Sequence, residues 1–275
     1  IGGYLARHDA PSASFHIDAG TFAASAVLLM CIRVPAAERQ RHHAGVGWSA
    51  LREAADYVRG HRRVAQLICV AVVVWSCGAL VRSTIPTLVR DVFDRPDYLE
   101  MGGFQARLGF GMLLGAVVLT VVGDALRSEI AITWSLAGIG AAIGLLTLSV
   151  FAPMSAGAAY HVGGLAIVLA GGFAAGVMAS YQALMQRIVP NRLRGRVFGL
   201  TDLATMFGLL LATGLLGIPD WPEIDRRVGW ILLGATAGVL AAAAGSLYVR
   251  LSSSRHRFWF TFWWHVNEFY CKFWF

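Results

Sequence analysis

Val64-Ala65-Gln66-Leu67-Ile68-Cys69-Val70-Ala71-Val72-Val73-Val74-Trp75-Ser76-Cys77-Gly78-Ala79-Leu80-Val81-Arg82-Ser83-Thr84-Ile85-Pro86-Thr87-Leu88 contains one charged group, Arg82. About 20 apolar residues in a helix cross the hydrocarbon core of a bilayer, so the stretch reads as a membrane span. Six others read the same way: Ser14–Arg33 before it, then Gly102–Val122, Ile130–Phe151, His161–Ile188, Val197–Ile218 and Val228–Arg250. The whole chain is 57% apolar and 14% charged, with a mean hydropathy of +0.60. An ordinary soluble domain carries about 25% charged residues, so a soluble globule is excluded. The expectation is an all-α polytopic membrane protein with about seven transmembrane helices.

Charge follows the spans. The net charge of +7 comes from short basic clusters between apolar segments, not from one continuous face, a pattern of membrane topology and not of nucleic-acid binding. Counting Arg and Lys on alternate sides places sixteen on one side and five on the other, with Arg82 and Arg107 inside spans. By the positive-inside rule the long basic loop and the C-terminus are then cytoplasmic, and the plasma (inner) membrane is the expected location. That loop, Pro35 to Arg63, contains an amphipathic segment, Trp48 to Arg59, with Leu51, Ala55 and Val58 on one helical face.

The residue inventory excludes several chemistries. Cys31, Cys69 and Cys77 lie within spans without CxxC spacing, and His42 and His43 sit together in a basic loop, so neither a disulfide framework nor a metal site is expected. Lys272 is the only lysine, which leaves neither a phosphate-binding loop nor a mid-membrane Schiff base. No catalytic motif and no cofactor is expected. Close glycine pairs, Gly111 with Gly115, Gly140 with Gly144, Gly172 with Gly176 and Gly234 with Gly238, point to tight helix packing. Ile1 opens the sequence as if within a helix and Phe275 closes it in an aromatic run, so the chain is expected to be a fragment.

The most specific string is Gln186-Arg187-Ile188-Val189-Pro190-Asn191-Arg192-Leu193-Arg194-Gly195-Arg196-Val197-Phe198-Gly199-Leu200. It resembles the loop between the tenth and eleventh helices of major facilitator superfamily exporters, especially the enterobactin-exporter-like branch. The resemblance extends over about Ile1–Arg250 and implies the C-terminal part of that fold, helices six to twelve. Residues 1–33 then close an N-terminal bundle with its last helix and 34–63 form the inter-bundle loop. Residues 64–250 are a six-helix bundle and 251–275 an aromatic interfacial tail. The family fold places substrate between two rocking bundles, so the lipid bilayer, a small-molecule or lipid substrate and a missing N-terminal bundle are the expected partners. The loop Gly123-Asp124-Ala125-Leu126-Arg127-Ser128 is a shortened form of the family's Gly-x-x-x-Asp-Arg-x-Gly-Arg-Arg gate motif.

Polar groups in spans are the functional candidates, because an ionised group near the bilayer centre costs at least about 2.5–3.5 kcal/mol unless it faces a cavity or partner. Arg82 precedes Pro86 by four residues, and Asp18 is expected at comparable depth as its ion-pair partner. Tyr181 and Gln182, with Trp75 and Ser76, are further cavity candidates. Asp124, Arg127, Arg194, Arg196 and Asp202 are candidates for a cytoplasmic gate. Gln105 and Arg107 fit either an interfacial anchor or a substrate contact.

Eleven aromatic residues fall between Phe258 and Phe275, as suits a segment in the headgroup layer. Trp264 to Tyr270 resembles the opening of a phospholipid acyltransferase domain. Three functions are therefore weighed: an exporter of a small amphipathic compound by alternating access, a lysophospholipid flippase fused to a downstream acyltransferase, and a transport-dead membrane scaffold.

Overall fold

A computed structural model describes residues 11–31, 48–122, 128–216 and 227–248, all helical apart from short connections. In hydrocarbon every backbone N–H and C=O needs a partner within the protein, and helices meet that demand locally. The elements are α1 (Pro11–Cys31), α2 (Trp48–Gly60), α3 (Arg62–Thr87, continued by a π-helical turn Leu88–Val92), α4 (Tyr98–Val122), α5 (Ser128–Phe151), α6 (Ala156–Ile188), α7 (Asn191–Leu216) and α8 (Arg227–Tyr248). Six of them, α3 to α8, are long and apolar enough to cross a membrane. The seventh expected span, in α1, offers a shorter apolar stretch, Phe15–Cys31. Residues 251–275, with the aromatic tail, lie outside the described residues.

Several helices begin before the expected spans because capping groups set their starts. Asp97 accepts from the Leu99 amide at 2.9 Å ahead of α4, and Ser155 accepts from the Ala158 amide at 3.4 Å at the start of α6. Pro190 precedes α7, where its carbonyl accepts from Leu193 N–H at 2.9 Å. The span expected to end at Leu88 runs on to Val92. Pro86 lacks an N–H for the Arg82 carbonyl, and beyond it the helix widens, with Phe93 N–H reaching back to the Leu88 carbonyl at 3.0 Å. Asp94 then turns the chain with φ +52°, a left-handed conformation that Asp tolerates better than most residues.

The bundle is assembled from helix pairs: α4 with α6, α5 with α6, and α3 with α7. Small residues make the closest approaches. A Cβ on Gly111 would strike the Val168 carbonyl, one on Gly115 the Gly172 backbone, and one on Gly171 the Leu108 carbonyl. Backbone therefore lies on backbone between α4 and α6. Helix α8 packs on α5 through Gly140 against Leu240 and Gly144 against Thr236. Thr133 and Ser246 add a hydroxyl contact of 3.0 Å across that pair. Gly238 packs near Cys77 of α3, whereas Gly234 has nothing within 4 Å, so that glycine pair is only half used. In α1 every described side chain from Phe15 to Cys31 is exposed.

Gly115→Ala should cost about 1–3 kcal/mol, because its methyl group would enter backbone that cannot yield. Gly109→Ala, where a Cβ meets nothing within 4 Å, should be neutral or slightly stabilising. Thermal unfolding of both variants in detergent checks the contrast, and equal melting temperatures would contradict the backbone contact.

Candidate functional site

Helix α3 carries the charged group buried deepest in an apolar sequence. Trp75, Gly78, Arg82 and Pro86 are all exposed, and at 3.6 residues per turn they share one face. Trp75 is 44% exposed although its neighbours in the span are largely covered. Pro86 supplies no N–H to the Arg82 carbonyl, and Arg82 itself is exposed on this open stripe. Among the described residues no carboxylate forms an ion pair with Arg82.

The expected partner is elsewhere. Asp18 lies exposed on α1, a helix without substantial packing on the bundle, and its carbonyl accepts from Thr21 Oγ1 at 2.7 Å. Ser76 turns away from the open stripe, since a Cβ on Gly208 of α7 would come within 2.7 Å of its hydroxyl. It is a packing residue between α3 and α7.

Tyr181 and Gln182 also separate, being about 100° apart around α6. Gln182 is exposed, whereas Tyr181 is buried beside Thr201 of α7 without a hydrogen bond of normal geometry. Tyr181 therefore presents no hydroxyl to an open cavity.

At the basic end of the bundle, where α2, α3 and α7 begin, the expected pairing is also redistributed. Glu53 of α2 takes a close hydrogen-bonded ion pair from Arg196 and a longer one from Arg192 at 4.0 Å. Asp202 is exposed on α7, where its carbonyl accepts from Thr205 Oγ1. Arg194 donates to the Gln186 carbonyl at 2.7 Å, pinning the turn between α6 and α7, while its Nε is buried without a partner. Tyr57 of α2 donates to the Ile188 carbonyl at 3.4 Å and stacks on His61 at 3.9 Å between ring centroids. Thus Glu53 and Tyr57, two residues of the amphipathic segment not singled out from sequence, fasten α2 to the α6–α7 turn. Asp124 and Arg127 lie outside the described residues.

The opposite end holds a second cluster missed by sequence reasoning. Tyr160 of α6 donates to Glu100 Oε2 at 2.6 Å and accepts from Arg107 Nη2 at 2.9 Å. The Arg107 guanidinium lies over the Tyr160 ring at 4.5 Å and over Phe104 at 5.4 Å, while Arg95 covers the same tyrosine at 5.4 Å. Phe93, Phe104 and Tyr160 pack together with centroids 5.7–6.0 Å apart. Gly163 and Gly164 create room for Phe93 and Arg107, whose atoms a Cβ would meet. Arg107 is therefore an internal clamp between α4 and α6, neither a headgroup anchor nor a free substrate contact. Glu100 and Arg107 are seven positions apart, two helical turns along one face, a spacing that could have signalled the cluster; Tyr160, 53 residues further, carries no local sign of it.

Among the described residues no group of His, Cys, Asp and Glu side chains could hold a metal ion. Among known protein families, the Major Facilitator Superfamily matches residues 1–213. No curated protein and no solved structure matches the chain.

Tyr160→Phe should cost about 1–2 kcal/mol, the value of a hydrogen bond to a partly solvated carboxylate. Its effect should be less than additive with Glu100→Ala in thermal unfolding, because both remove the same bond. At the basic end, Glu53→Lys should change overall stability by no more than about 1 kcal/mol. It should nevertheless speed amide hydrogen exchange across residues 48–60, and unchanged exchange there would mean that the ion pairs do not hold α2.

Proposed function

The chain belongs to the Major Facilitator Superfamily, and on that premise we propose that it forms the C-terminal half of an exporter for a small amphipathic compound, moved by alternating access. The observation that carries this reading is Arg82, exposed beside the Pro86 break on the stripe with Trp75 and Gly78. A guanidinium in a span of this hydropathy is stable where a second bundle encloses water or substrate against it. Trp75 supplies an apolar and aromatic surface about two turns away on the same face. Together they suit a ligand with an apolar body and a polar or anionic group.

The loop Gln186–Leu200 supports placement near the enterobactin-exporter-like branch, and the arginine distribution supports a cytoplasmic basic end. The ion pairs of Glu53 with Arg192 and Arg196 support assigning the gate at that end to α2 and the α6–α7 turn, in place of Asp202. Such a latch joins the inter-bundle segment to the bundle by exposed charges, which separate and reform at small cost.

In the full-length chain, Arg82→Gln should lower efflux of a fluorescent amphipathic dye about 10-fold or more at unchanged membrane expression, as expected for loss of a charge-assisted contact. Arg82→Lys should retain part of the activity because it keeps the charge but not the planar donor fork. Wild-type efflux by the glutamine variant would overturn the assignment.

A further inference from the structure

The basic end also holds a cavity that none of these contacts uses. It lies between the first turns of α3 and α5 and the last turns of α6 and α8, with a volume of about 410 Å³. Leu67, Val70, Val73, Ile132, Leu184 and Ile188 make its walls apolar. Gly245 of α8 belongs to the wall as well, and a Cβ added there would meet nothing within 4 Å, so the space beside it is open. Arg62 and Arg63 stand at the rim with Gln66 and Glu129. Both arginines are exposed, and among the described residues neither forms an ion pair. With Glu129 included, the rim keeps a net charge of +1.

This is the arrangement of an amphiphile site turned on its side. The volume is within the range of ligand pockets, about 300–1,000 Å³, and the lining excludes a strongly polar occupant. The helix starts that carry Arg62 and Arg63 fall where a span meets the headgroup layer, and basic pockets between transmembrane helices at that level recognise anionic lipid headgroups. We propose that the cavity takes one acyl chain of an anionic phospholipid from the adjoining leaflet, with the lipid phosphate on Arg62 and Arg63. The chain's own segment 251–275 is a poorer occupant, because Arg255, Arg257 and Lys272 would bring like charge to the same rim. The site lies within one bundle and does not depend on the transport reading.

The test is native mass spectrometry of the full chain, purified in detergent and supplied with equal amounts of palmitoyl-oleoyl phosphatidylglycerol and phosphatidylcholine. The wild type should retain phosphatidylglycerol about 30-fold over phosphatidylcholine, given the attraction contributed by two arginines near a membrane surface. The double substitution Arg62→Gln with Arg63→Gln should abolish the preference. Gly245→Leu, which fills open space, should abolish retention while the melting temperature without added lipid stays within that of the wild type. Equal retention of both lipids by the wild type would overturn the proposal, as would phosphatidylglycerol binding unchanged in both variants. Displacement of the lipid by inorganic phosphate alone would also overturn it, since the headgroup contact would then act without the chain cavity.

Discussion

The backbones of α4 and α6 touch at Gly111, Gly115 and Gly171, and the rest of the bundle is built on that contact. Lipid tails are as apolar as the side chains they surround, so helices in a bilayer gain little by hiding leucines from them. Association depends on dispersion between closely approaching surfaces, and missing side chains permit the closest approach. Once α4 and α6 are drawn together, Gly163 and Gly164 bring the upper part of α6 under Phe93 and Arg107. The Tyr160 hydroxyl then arrives between a carboxylate and a guanidinium.

The two ends of the bundle are fastened by different physics. At the Tyr160 end, charged groups are interleaved with three aromatic rings, and cation–π contacts with a tyrosine bridge hold the turn after α3 to both α4 and α6. This fixes the segment that follows the Pro86 break and the π-helical turn. At the basic end, the pairs of Glu53 with Arg192 and Arg196 remain within reach of solvent, where an ion pair contributes little net stability. One end is held through the buried Tyr160 and the other through solvent-accessible ion pairs.

Helix α3 links the two regimes. Its first turn borders the cavity rimmed by Arg62 and Arg63, its middle packs Ser76 and Cys77 against α7 and α8, and from Trp75 onward a separate face turns Trp75, Gly78 and Arg82 outward. The guanidinium of Arg82, on a helix otherwise packed by small and aliphatic groups, is costly in lipid.

Hydropathy and helix length determined the membrane class and the helical fold, because the cost of an unpaired peptide group in lipid is uniform along the chain and needs no tertiary information. The same local rules located α2 by its amphipathic period and identified Pro86 as a break. The glycine pairs at Gly111 and Gly140 were legible too, although Gly234, with the same spacing, meets nothing. Partnerships were decided by tertiary structure alone. Asp18 and Arg82 share charge complementarity but lie on helices that do not pack together; Arg196 meets Glu53, 143 positions away, and Tyr160 meets Arg107 and Glu100. Sequence period sets which face of a helix a residue occupies. Which helix lies opposite that face depends on where backbone can approach backbone, a property of the assembled bundle.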